Sequence, residues 1–194
     1  SSPKHLYKNL KLYLKYILFN TNSIHIKNHK SNNNHNSLMI NGSNLSYLTL
    51  HFRLSSLFYL NQLVDIFAYE TSSKVVSGSG DSYSTVIVYN FHSVISQTRT
   101  FVFTQNNLSS STTKLNGNVS SISDYYPAAN WLEREAAELS SVTFHGRKDL
   151  RNLMLQYGET SSPLKKSFPS IGYKEVFYSP NVDMVVQKEI TVNL

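Results

Sequence analysis

Residues 83–104 read YSTVIVYNFHSVISQTRTFVFT. Two runs of β-branched and aromatic residues, 83–91 and 98–104, flank a short, more polar connection. Such side chains suit the pleated, half-buried surface of a sheet. The pair is therefore expected to form neighbouring antiparallel strands. Just upstream, residues 62–69 (QLVDIFAY) read as a third strand, and the Ser/Gly-rich stretch 72–82 as a loop. Further upstream, Ser43 offers an N-cap for a helix over 44–57, whose apolar positions include Leu45, Leu48 and Phe52. Asn41-Gly42 is a turn signal, and residues 38–40 and 23–28 read as two short strands around the polar loop 29–37.

The chain opens on KHLYKNLKLYLKYILF at 4–19. Leu6, Leu10, Leu14 and Ile17 recur at helical spacing, and Lys8, Lys11 and Lys15 lie on the other side. This is a basic amphipathic helix, read first as a domain helix and second as a targeting or membrane-surface segment. Lysines interrupt it too often for a bilayer span, which needs about 20 apolar residues. The order helix, two strands, helix, three strands predicts an α+β fold, a two-layer sandwich with helices over a sheet. It is followed by a helix and a long extended C-terminal tail. Residues 121–124 (SISD) supply helix-start residues and Pro127 suits a first turn, so a helix is expected over 127–139. Leu150, Leu153 and Met154 suggest a short helical piece over 149–156. Residues 173–178 and 183–192 are placed to pair across Ser179-Pro180-Asn181. The organisation is thus an α+β domain at 1–120, a helical region at 121–157 and a tail or hairpin at 158–194.

Composition excludes several chemistries. The 194 residues contain no cysteine, so disulfides, zinc fingers and cysteine-ligated iron–sulfur clusters are ruled out for this chain. Charge is split unevenly within a net +6. Residues 1–64 carry seven Lys or Arg and no acid, and everything after them is nearly neutral. The VSGSGDS stretch at 76–82 lacks the Lys-Ser/Thr and helix of a phosphate-binding loop. His25 and His29 have no third ligand nearby, and His145 has no Asp or Ser partner for base catalysis. Glu133, Glu135 and Glu138 are read as a solvent-facing helix side pairing with Arg134 rather than as acid/base carboxylates.

Residues 127–178 carry a more specific signal. Ala129-Asn130-Trp131, Glu133-Arg134-Glu135 and Asp149-Leu150-Arg151 come first. Tyr157-Gly158, Pro163-Leu164, Lys166, Phe168-Pro169, Gly172-Tyr173 and Glu175-Val176 come next, in that order. This series resembles the C-terminal hallmark of the 30-kDa core subunit of respiratory complex I, NADH:ubiquinone oxidoreductase. The chain departs from the pattern at Ser140-Ser141, where the family continues with an apolar pair and a glycine. It also departs at Arg147-Lys148, ahead of the DLR piece, and at Glu159, in the stretch between YG and PL.

The resemblance implies a non-catalytic structural and assembly subunit of a proton-translocating NADH:ubiquinone reductase. It implies a place in the peripheral arm on the matrix side of the mitochondrial inner membrane, with no transmembrane segment of its own. It also implies that flavin, iron–sulfur clusters and ubiquinone are held by other subunits, that no nucleic acid is bound, and that the 49-kDa subunit and neighbouring hydrophilic core subunits are the partners. Trp131, Glu133, Arg134, Glu135, Asp149, Arg151 and Tyr157 are the expected partner contacts on the helical region. Pro163, Leu164, Lys165, Lys166, Phe168, Pro169, Gly172 and Tyr173 are those on the tail. A local salt-bridged helix face is the alternative for Glu133, Arg134 and Glu135, and a tail folded back on its own domain is the alternative for the last set. The basic, aromatic-rich start raises a second function, an RNA- or ribosome-associated organellar protein. A stand-alone hydrolase is a third, for which no nucleophile and base can be assembled.

Overall fold

A computed structural model of the chain describes residues 25–27, 35–56, 58–73, 82–106 and 119–190. The expected helix over 4–19 lies outside them. The strands are β1 (His25–Lys27), β2 (His35–Ile40), β3 (Gln62–Ser73), β4 (Ser82–Ser93), β5 (Thr98–Asn106), β6 (Val119–Ser120), β7 (Phe144–His145), β8 (Lys174–Ser179) and β9 (Met184–Glu189). The helices are α1 (Leu45–Leu54) and α2 (Ala129–Ser140).

Five strands form one sheet in the order β1-β2-β5-β4-β3. The stretch 83–104 supplies its centre, β4 and β5, antiparallel from Thr85↔Asn106 to Ser93↔Thr98. β3 adds antiparallel to β4, with a bulge between Leu63 and Asp65. β2 joins β5 in parallel, which α1 makes possible by carrying the chain away from the end of β2. The α+β sandwich is therefore the observed architecture.

Strand alternation decides which face is covered. Ile66, Ile87, Tyr89, Val102 and Leu38 share one face through the registers Ile66↔Tyr89, Tyr89↔Val102 and Leu38↔Val102. Against it pack Leu45, Leu48 and Phe52 of α1, Ile122 and Tyr126 of the connecting segment, and Ala129 and Ala136 of α2. Phe91 sits at the centre, with its ring 5.6 Å from Phe52 and 5.2 Å from Tyr126. The Tyr126 hydroxyl donates to the Leu60 carbonyl at 2.6 Å, so this aromatic core also satisfies its polar tip. Burial pushes the Tyr126 hydroxyl up to about 12.

Local outcomes differ from expectation in four places. Helix α1 is preceded by a 3-10 turn at Gly42–Asn44, its N-cap is Asn44 rather than Ser43, and it stops at Leu54 rather than 57. The Leu60 amide returns to the Phe52 carbonyl at 3.1 Å, which brings Phe58 and Leu60 into the core instead of continuing the helix. Residues 121–124 turn without starting a helix, and α2 begins only at Ala129. Residues 149–156 are not helical. Their backbone groups are taken by side chains of α2 instead of by one another. The tail does form the expected hairpin, β8 against β9, with Val176↔Gln187, Phe177↔Val186 and Tyr178↔Val185 in register.

Candidate functional site

Helix α2 fixes the chain on both sides of it. Glu133 is 0% exposed and points inward. Its Oε2 accepts from the Ser121 hydroxyl at 2.6 Å and its Oε1 from the Ile122 amide at 2.8 Å. Burial pushes this carboxyl up, and the two hydrogen bonds and the nearby Arg147 guanidinium oppose the shift. Glu133 is thus a brace that ties α2 to the segment 119–126. A partner cannot reach it, which corrects the expectation of a partner contact or of a solvent-facing helix side. The register of the helix explains the error: position 133 lies between Ala129 and Ala136 on the buried face.

Arg134 is also nearly buried. Its Nε donates to the Arg151 carbonyl at 2.9 Å and its Nη2 to the Asn152 carbonyl at 3.0 Å. Its Nη1 lies 3.6 Å from the Asp149 carboxylate. One turn on, Glu138 accepts the amides of Leu153 at 2.9 Å and Met154 at 2.5 Å. Arg134 and Glu138 are an i, i+4 pair whose charges are not directed at each other. The cation holds carbonyls and the anion holds amides of one passing irregular segment, residues 151–155. Charge-assisted bonds of this kind are stronger than neutral ones, which is why the segment runs along α2 instead of coiling. Sequence reading missed this role of Glu138 because nothing local distinguishes it from a surface glutamate.

Asp149 is gripped by Arg151 in a two-pronged contact, Nε to Oδ1 at 3.0 Å and Nη2 to Oδ2 at 2.7 Å. Those bonds hold its carboxyl well below the usual carboxylate range, with Arg134 adding to the effect. The Arg134 guanidinium also lies 5.2 Å from the Trp131 ring centre. Trp131 itself is 58% exposed, and Glu135 on the next turn is half-buried. Helix α2 ends at Ser141 in the left-handed region, φ +55. Such a backbone favours glycine.

Beyond residue 150 the chain is a thin arm. Besides the bonds of 151–155 to Arg134 and Glu138, it meets the domain at the Leu164 amide to the Leu139 carbonyl, 2.9 Å, and the Lys166 amide to the Glu70 carboxylate, 2.8 Å. Lys174 pairs with Glu159 at 3.0 Å, and the Phe168 and Tyr173 rings meet edge to face at 5.1 Å. Gly172 turns the chain at φ +84 just before β8. The arm's apolar side chains remain outside: Leu150, Met154, Tyr157, Leu164, Ile171 and Tyr173 are all more than half exposed. Pro163, Lys165 and Phe168 are half-buried or exposed along the same edge, while Lys166 and Pro169 are exposed. In the hairpin, Val185 on one face is 68% exposed and Phe177 on the other 45%.

Residues 39–174 match the family described as the respiratory-chain NADH dehydrogenase 30 Kd subunit. The chain belongs to this family. Curated relatives named as the C subunit of NADH-quinone oxidoreductase include one from Francisella tularensis subsp. holarctica, 39% identical over 75 residues. Those residues are 39% of this chain and 35% of that protein. One from Burkholderia cenocepacia is 40% identical over 74 residues, 38% of this chain and 37% of the relative. The matches thus span little more than a third of the length of these relatives. A chain in the structure of the membrane-bound sulfane sulfur reductase, an archaeal respiratory membrane complex, shares the fold over 80% of each chain with a TM-score of 0.50 and 15% identity. Among the described residues, no helix is long and apolar enough to cross a membrane. The basic residues that prompted the RNA reading are concentrated at 4–30, of which only 25–27 are described.

Proposed function

We propose that this chain is a non-catalytic structural and assembly subunit of the peripheral arm of a mitochondrial, proton-translocating NADH:ubiquinone reductase. It would sit on the matrix side of the inner membrane and brace the 49-kDa subunit beside the quinone site. Flavin, iron–sulfur clusters and ubiquinone belong to other subunits. Family membership supports the assignment to the enzyme, and the exposed apolar arm carries the assignment to a docking role. Burying a large apolar side chain is worth about 1.5–3 kcal/mol, and the arm leaves a row of them in water. A two-stranded hairpin is marginal by itself, and here neither face is covered by the domain. A partner surface would supply the missing burial. The acid-free start and biased composition of the chain favour the mitochondrial reading.

Affinity purification of the tagged chain from detergent-solubilised native membranes tests this. The 49-kDa subunit is expected to co-purify on a very large complex, and a variant lacking β8 and β9 is expected to lose it. A chain that runs as a monomer, with NADH:quinone activity intact in its absence, would refute the reading.

A further inference from the structure

The family match ends at Lys174, where β8 begins. Family membership therefore assigns the hairpin no role. Charge divides the hairpin in two. At its base Lys174 stands opposite Glu189 and Glu175 opposite Lys188, one pair on each face, so the base carries as many cations as anions. Lys174 also reaches Glu159. From there to the turn and back, residues 176–187 read VFYSPNVDMVVQ and hold a single charge, Asp183. Alternation spreads the apolar side chains of this outer half over both faces. Val176, Tyr178 and Val185 share one face, and Phe177 and Met184 the other, through the registers Tyr178↔Val185, Phe177↔Val186 and Ser179↔Met184. Val182 stands at the turn between them. Five of these six are more than half exposed, and Phe177 nearly so. Asp183 has a left-handed backbone, φ +51, and accepts from the Tyr178 hydroxyl. Among the described residues no cation pairs with it.

We propose that the outer half of the hairpin is a plug that enters a slot in the protein on which the chain docks. The slot has an apolar wall against each face of the hairpin and a Lys or Arg at its floor, opposite Asp183. A hairpin that lies flat on a partner needs apolar side chains on one face only. It would leave Val176, Tyr178 and Val185, or else Phe177 and Met184, in water. Stacking on a second copy of the hairpin leaves the same remainder, and a slot covers both sets. Sheet geometry gives its size. Residues 176–179 advance about 3.4 Å each, so the strands run about 10 Å into the slot before the turn. Packed sheets lie about 10 Å apart, so two walls flanking the hairpin stand about 20 Å from each other. Charge gives its chemistry. The only charge carried in is the Asp183 carboxylate, and a buried charge is costly unless it is paired. A guanidinium or ammonium at the floor supplies the pair with a charge-assisted bond. That the slot belongs to a partner protein rests on the docking role proposed above.

Because the chain has no cysteine, single thiols can be placed in it cleanly. Met184→Cys and Val185→Cys put one thiol on each face at neighbouring positions. Each tagged full-length variant is alkylated with N-ethylmaleimide, alone and in the purified native complex, and the modified fraction is read by mass. Both thiols are expected to react at least tenfold more slowly in the complex. Protection of one face only overturns the slot, and leaves a hairpin lying flat on its partner with docking intact. Protection of neither, in a complex that is recovered, overturns the slot and moves docking away from the hairpin. Protection of either thiol in the isolated chain on raising its concentration makes a second copy the cover, and also overturns the slot. If the wild type recovers no complex, the docking role fails and the slot with it. The floor is tested by Asp183→Asn, which suits a left-handed backbone, keeps an acceptor for Tyr178 and removes only the charge. Competing with wild type for the same complex, this variant is expected to be incorporated at least threefold less. Equal or greater incorporation overturns the cation at the floor.

Discussion

Phe91 in β4 and Phe177 in β8 each lie in an aromatic-bearing strand, YSTVIVYNF and KEVFYS, of which only the second also carries charges. The first is fully buried under α1 and Tyr126, and the second is nearly half exposed on a hairpin that no other described element of the domain covers. Phenylalanine in a strand therefore has two destinations here. In the domain, strand alternation sends one face to a core that this chain builds for itself. In the arm each hairpin face carries apolar side chains beside charged or polar ones, and the exposed Val176, Phe177, Tyr178 and Val185 lie outside, as on a surface that meets another protein. Between them stands α2, whose polar side chains hold the start of the arm without burying its apolar ones.

The largest effect expected from this contrast is at Phe91. Phe91→Ala should cost the isolated chain about 3–5 kcal/mol, read as a lowered urea midpoint. Phe177→Ala should stay within about 0.5 kcal/mol, like other exposed substitutions, yet reduce recovery of the respiratory complex. Equal stability losses at the two positions would erase the distinction. Next comes the brace. Glu133→Ala leaves the Ser121 hydroxyl and the buried Ile122 amide without their acceptor, and an abandoned buried donor costs about 1–3 kcal/mol. A stability loss no greater than that of a half-buried control, Glu135→Ala, would show that Glu133 is not what ties α2 to the segment before it. A smaller gain is expected at Ser141. A left-handed backbone costs a side chain about 1–2 kcal/mol relative to glycine, so Ser141→Gly should raise the thermal midpoint by the equivalent of about 1 kcal/mol. A fall would contradict the capping geometry.

The two regions should also loosen at opposite ends of the pH scale. Lys174 holds the Glu159 carboxyl at about 2, below its ordinary value of 4.5. Its anchoring of the hairpin is therefore complete above about 4.5 and is lost as pH falls towards 2. Limited proteolysis at the base of β8 should quicken over that window in wild type and already be fast in Glu159→Gln. Tyr126 ordinarily loses its proton near 10 but keeps it to about 12 in the folded core. Its contribution is intact below 10 and lost between 10 and 12. Domain stability should fall there, and less steeply in Tyr126→Phe.

The centre of the domain was legible because runs of β-branched and aromatic residues, 83–91 and 98–104, suit neighbouring strands, and they pair antiparallel as β4 and β5. No period of two marks β4, where Val86 and Val88 on one face are buried as Ile87 and Tyr89 are on the other. The hairpin was legible from Ser179-Pro180-Asn181 between two apolar runs. The stretch 149–156 was not. Leu150, Leu153 and Met154 have helical spacing, but an isolated short helix is weak, and Glu138 and Arg134 outcompete it for the backbone groups. That competition joins residues distant in the chain and leaves no local trace. Glu133 was misplaced for the same reason: its donors, Ser121 and Ile122, resemble a helix start until the fold sets them opposite a carboxylate. Ser121 then serves that carboxylate and no helix. Among the expected partner contacts, the arm residues Tyr157, Leu164 and Tyr173 are exposed as docking requires, whereas Glu133 and Arg134 are engaged within the chain.

Amide hydrogen exchange on the isolated chain and on the assembled complex addresses the central claim directly. Amides of β4 and β5 are expected to be slow in both states. Those of β8 and β9 should exchange fast in the isolated chain and slow strongly in the complex. Equal protection of the hairpin in both states, or a hairpin that stays fast in the complex, would contradict a docking role for the arm.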